Sequence, residues 1–142
     1  MSWSESAGGD RLADVLALMP ALRERYQAFL ESHESTGLLP DRTLALCRAR
    51  VAAIHGQPLG DALPEAEREA LSRGDFSPFS EEEQAALRVA ERVPYQHHQL
   101  EDEEVEAVKS HYGDAGVVAL LTAVSFYDVN TRLALSLGVA NN

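Results

Sequence analysis

The side chains able to do chemistry fall into a few short groups. Cys47 is the only thiol in the chain. A thiolate can attack a peroxide, whereas a neutral thiol is a weak nucleophile. Cys47 lies three residues after Leu44 and four before Val51, on the apolar face of a helical stretch. Arg48 and Arg50 are close in sequence, but such spacing alone does not bring a charge to the sulfur. Two readings follow. One is a one-cysteine peroxidase working with an external reductant. The other, which the apolar spacing favours, is a small buried hydrophobe. A single cysteine rules out an intramolecular disulfide and argues against a thiolate zinc site.

His55 ends the same stretch. It can serve as an acid/base group, or it can simply interact with a helix C-terminus. His97-His98 follows Pro94-Tyr95-Gln96, with Glu101, Asp102 and Glu104 nearby. These are metal-ligating types, but no H-x-H or H-x-x-x-H spacing occurs, and the acidic run suits a helix N-terminus. No metal and no cofactor is called for. Tyr127, Asp128, Asn130 and Arg132 form the most polar part of an otherwise apolar segment. Buried polar groups need partners, so Arg132 is expected to pair with a carboxylate or cap another helix. Its alternative role is an anion clamp beside a catalytic His55.

The elements that must position these groups are all helical. Val, Ile and Thr are scattered rather than alternating, and no hairpin dipeptide separates apolar runs. Residues 1–9 read as a loose polar tail containing Trp3, and residues 10–142 as one domain. Leu12, Val15, Leu16 and Met19 share a face. Pro20 suits the first turn of a new helix, which carries Leu22, Tyr26, Phe29 and Leu30 to about His33. A helix from Asp41 to Ile54 is capped by Asp41 and stopped by Gly56. A short helix follows Pro64 and closes at Arg73-Gly74. Ser80-Glu81-Glu82-Glu83 is a capping box, and its helix is expected to stop near Pro94. Glu101–Glu104 opens another helix, broken at Gly113-Asp114. A last helix from about Ala115 to Leu137 is apolar on nearly every side, which suits a central position. The expected fold class is an all-α bundle of six or seven helices.

Bulk composition narrows the function classes. At 142 residues the chain is long enough for one domain with a real core. Its net charge of −11, from 12 Lys+Arg against 23 Asp+Glu, disfavours nucleic acid and anionic membranes as partners. The longest apolar run, Val117 to Val124, is far too short to span a bilayer, and no signal peptide is visible, so a cytoplasmic protein is the default.

Three segments carry a family resemblance: Leu39-Pro40-Asp41-Arg42 at a helix start, Phe76-Ser77-Pro78-Phe79-Ser80-Glu81-Glu82-Glu83, and Asn130-Thr131-Arg132-Leu133 near the C-terminus. Together, over about residues 35–138, they resemble the alkylhydroperoxidase D-like (AhpD-like) branch of the carboxymuconolactone decarboxylase family. The resemblance implies an AhpD-like orthogonal helical bundle and a homo-oligomer, whether dimer, trimer or hexamer. The family's reductant-dependent members carry Cys-x-x-Cys-x-x-x-His just after the first of these helices, and a relay glutamate before it. Here Gln57 and Gly60 fall where the cysteines belong, Pro64 where the histidine belongs, and Ala45 where the glutamate belongs. The segment from Gln57 to Pro78 is also shorter than the family pattern. The implied protein keeps the fold but has lost dithiol peroxidase chemistry, and serves as a binding or structural protein with a small molecule in the residual pocket. The alternative is an enzyme with displaced chemistry: peroxide reduction through Cys47, or a cysteine-independent decarboxylase- or isomerase-like reaction using His55 and Arg132.

Overall fold

Helix starts and stops in this chain are written by a few residues that satisfy orphaned backbone groups. The computed structural model describes residues 9–141. Most of the tail expected over residues 1–9, Trp3 included, lies outside that range. Helix α1 (Leu12–Leu16) is followed by α2 (Pro20–Glu34), which Pro20 opens with its preset φ. Helix α3 (Asp41–Ile54) starts after Pro40, so Asp41 is its first helical residue and not its cap. Helix α4 (Glu65–Arg73) ends on Gly74 in the left-handed region. Helix α5 (Glu81–Gln96) begins at a complete capping box, with Glu83 N donating to Ser80 Oγ at 3.2 Å and Ser80 N donating to Glu83 Oε1 at 3.1 Å. Helix α6 (Asp102–Leu137) is broken at Gly113, whose φ of 76° and ψ of 177° are open to glycine.

Helix α5 stops near Pro94, as the sequence suggests, though not at it. It continues to Gln96 and runs into a 3-10 turn, His97–Gln99. Proline removes only the hydrogen bond of its own nitrogen. In the last turn the remaining carbonyls can be satisfied from outside, and the Pro94 carbonyl accepts from Arg132 Nη2 at 2.5 Å.

The core forms where α3, α5 and α6 meet. Leu46, Val51, Leu87, Leu120 and Val124 are fully buried there, and α4 adds Leu71. Each such side chain contributes roughly 1.5–3 kcal/mol from the area it removes from water. Arginines tie the layers: Arg42 on α3 reaches Glu67 on α4 and Glu83 on α5, and Arg50 reaches Glu91 and the Leu71 carbonyl. Helices α1 and α2 lie against the far half of α6. Helix α2 has no buried residue, and Leu22 and Phe29 stay exposed. On α6, Val118 is 66% exposed and Val129 is also exposed, so one stripe of this apolar helix is uncovered in a single copy. The chain ends meet where Ala140 N donates to the Asp10 carbonyl at 2.8 Å. No described element is a strand, and no helix of the described residues is long and apolar enough to cross a membrane.

Candidate functional site

Cys47 sits on the inner face of α3 with no exposed surface. Burial, and after it the charge of Glu83, pushes its thiol up to about 12. At neutral pH the group is a thiol rather than a thiolate, and no peroxide can reach it without opening the core. The sulfur is a core atom in this geometry.

The run in which the resemblance puts the dithiol centre has another use. Ala45, Gln57 and Gly60 line an apolar trough of about 360 Å³, floored by Ala49 and Ala52 of α3. The segment is fixed from three points. Leu63 is buried, Leu59 packs on the core, and Arg68 Nη1 donates to the Gly60 carbonyl at 2.9 Å. Pro64 caps α4 and takes no part.

A second cavity, about 220 Å³, opens between α1, α2, α3 and α6. It shares Arg48, Ala52 and Asn141 with the trough, so the two lie side by side and make up the cleft region around Arg48. Its polar wall is a chain of contacts. The Arg48 guanidinium pairs with Glu34 and lies 4.7 Å from the Tyr127 ring centroid. Tyr26 donates to Asn130, and Asn141 Nδ2 donates to Thr131 Oγ1 at 3.2 Å. Burial pushes the Tyr127 phenol up to about 12, against the opposing pull of Arg48. His33 lies beside this wall, among Phe29, Phe126 and Tyr127, with both ring nitrogens buried and unpartnered among the described residues.

His55 and Arg132, the two other candidate residues, come together, and they do so through Asp128. His55 is the residue after α3, where its backbone turns out of the helix toward Gly56. Its side chain is only 3% exposed. Nε2 is 2.6 Å from Asp128 Oδ1, and Nδ1 is 3.3 Å from the Tyr95 hydroxyl. Arg132 Nε donates to Asp128 Oδ2 at 2.9 Å, one turn along α6. The Arg132 guanidinium also lies 4.9 Å from the Tyr95 ring centroid. Its donors toward Asp128 and Pro94 are already engaged, and Asp128 raises its pKa further. As drawn, Arg132 holds Asp128 and the end of α5 rather than a free anion. His55 cannot meet a substrate directly, because Tyr95 covers it.

Asp128 and Tyr95 were the residues that sequence reasoning did not bring to His55. Asp128 stood out as a polar residue inside an apolar helix, but its histidine partner is 73 positions away. Tyr95 lies in the last turn of α5, which aims it at His55. His97 and His98 sit in a 3-10 turn, with rings edge to face at 5.6 Å. Among the described residues no three His, Cys, Asp or Glu side chains gather as metal ligands would. Set against protein-family models, curated proteins and solved structures, the chain matches none.

Proposed function

We propose that this protein is a divergent member of the AhpD-like branch of the carboxymuconolactone decarboxylase family, with its orthogonal bundle, that has shed dithiol peroxidase chemistry and binds a small amphipathic acid in the cleft around Arg48. One observation carries the reading: the run aligned with the family's redox centre walls an apolar trough instead, while the single thiol is sealed in the core. The trough has the size of a ligand pocket and an alanine-lined floor for an aliphatic body. Arg48 offers a planar guanidinium for a carboxylate. Its present partner, Glu34, is on the surface, and such exposed pairs are weak enough to be displaced. Self-association follows from the same family reading, with the uncovered apolar stripes of α2 and α6 as its candidate face. A cytoplasmic setting belongs to the same reading.

Titration of isotope-labelled protein with octanoate tests the reading. Amide shifts should concentrate on α3 and residues 57–63, octanol should bind more weakly, and Arg48→Ala should weaken octanoate by roughly tenfold. Scattered shifts, or equal binding by the Arg48→Ala variant, would sink it. So would rapid formation of a sulfenate on Cys47 in native protein given cumene hydroperoxide.

The acid–base alternative also has an observation behind it, the His55–Asp128 pair at 2.6 Å beneath the Tyr95 hydroxyl.

A further inference from the structure

The Tyr95 hydroxyl sits at the end of a carboxylate–imidazole pair, with an order of groups that has chemical meaning. An ionised carboxylate only accepts hydrogen bonds, so the 2.6 Å contact of Asp128 Oδ1 places the proton of a neutral His55 on Nε2. Nδ1 is then a lone pair, and it faces the Tyr95 hydroxyl at 3.3 Å. A nucleophile within reach of a base, and a base oriented by a third group, is the general arrangement of an activated hydroxyl, often looser before substrate is bound. The imidazole is 3% exposed, which keeps water from competing for Nδ1. Tyr95 itself is 59% exposed, so its oxygen is open to a reactant. The Arg132 guanidinium 4.9 Å from the ring centroid supplies positive charge as the phenol loses its proton.

A purely structural account explains part of this. Asp128 and Arg132 would tie the ends of α3, α5 and α6 whatever Tyr95 did. It does not explain why the one polar outlet of a sealed histidine is an exposed phenol. We propose that Tyr95 is a nucleophilic acyl-acceptor site, served by His55 and Asp128, for esters with a good leaving group. In the step, Tyr95 Oη attacks the ester carbonyl carbon and its proton passes to His55 Nδ1. The carbon–oxygen bond to the leaving group breaks and an aryloxide departs. The product is an O-acyl tyrosine, and the imidazolium returns its proton to solvent. Tyr95 is the catalytic residue in this reaction, and His55 and Asp128 act through it. The site is separate from the cleft around Arg48, so the outcome below does not depend on what that cleft binds.

The test uses the full chain with p-nitrophenyl acetate, peptide mapping by mass spectrometry, and N-acetyltyrosinamide as the reference phenol. Acetylation of Tyr95 is expected roughly 100-fold faster than of the reference, the lower end of what a positioned base contributes. The gain should disappear in His55→Gln and in the near-isosteric Asp128→Asn, and Tyr95→Phe should lose the modified peptide. A normal solvent deuterium isotope effect on the wild-type rate is expected, and it needs no variant to fold. A Tyr95 rate equal to that of the reference, a rate unchanged in either His55→Gln or Asp128→Asn, or no isotope effect would each overturn the proposal and leave the cluster as a tie between helices.

Discussion

Replacing Asp128 with alanine measures how far the His55 cluster holds the helices together. The carboxylate serves two partners, His55 Nε2 at 2.6 Å and Arg132 Nε at 2.9 Å. Their environments differ, and so do the consequences. The His55 side chain is almost sealed from water, so losing its acceptor leaves a buried donor unpaired, which costs about 1–3 kcal/mol. Arg132 is 44% exposed, so its lost ion pair is replaced by water at a cost of roughly 0–1 kcal/mol. Asp128→Ala should therefore destabilise the protein by about 1–4 kcal/mol, most of it through His55. Asp128→Asn keeps an oxygen for Nε2 and should cost only about 1 kcal/mol. Urea unfolding of both variants with a common m-value gives these differences directly. A long-range proton–nitrogen spectrum of the wild type should show the Nε2–H tautomer of His55. An alanine variant within about 0.5 kcal/mol of wild type, or an asparagine variant as unstable as alanine, would refute the view that a buried histidine depends on this carboxylate.

Cys47, with its thiol pushed up to about 12 by burial, should resist iodoacetamide at pH 8 in native protein and react fully in urea. Cys47→Ser should lower stability by about 1–3 kcal/mol, because it puts a hydroxyl at a fully buried core position. Burial lowers the His33 pKa, only partly offset by Glu34, so the fold favours the neutral ring. The unfolded chain then takes up the proton first, and stability is expected to fall as pH drops below the unfolded value of about 6.5. Urea midpoints at pH 7.5 and pH 5.5 should diverge less in His33→Leu than in wild type, and equal divergence would count against the assignment. Gly113→Ala meets no neighbouring atom within 4 Å, so its cost should come from backbone conformation alone, about 1–3 kcal/mol by urea unfolding. A neutral result would mean that the break in α6 is not held in that conformation.

The fold was legible wherever a local group satisfies the backbone. Ser80 with Glu83, Pro20, and the glycines at 56, 74, 113 and 138 mark starts, stops and the break in α6 as the sequence suggests. Those signals act within a turn or two, so one sequence carries them whole. Pro94 marks the end of α5 only to within a turn, because a proline in the last turn lacks just its own N–H, and an arginine from another element takes the Pro94 carbonyl that the helix end leaves open. The site was legible in pieces. The need of Arg132 for a carboxylate is visible, because Asp128 lies one helical turn before it. The pairing of His55 with Asp128 is not, because it depends on how α3 crosses α6. The trough was not legible, because nothing local in the run from Gln57 to Leu63 says which elements it packs against. Its wall, held by Leu59, Leu63 and Arg68, is a tertiary fact.

Arg48, Ala52 and His55 recur at helical spacing on one side of α3. Arg48 and Ala52 line the cleft, and His55, one turn further on, lies against α5 and α6. The two candidate sites are thus successive stretches of a single helix face, and that face changes character along its length. Its first part keeps small residues and one cation, which leaves room for a ligand. Its last residue carries a titratable ring with a partner on each side, which leaves no room but aims a phenol outward. A dithiol centre needs a helix N-terminus and charged neighbours to lower a thiol pKa. Neither stretch supplies that environment, and the one thiol nearby faces the core with its pKa raised. The proposed acid-binding role of Arg48 and the proposed proton transfer to His55 therefore both fall on this face, and variants along it test the two together.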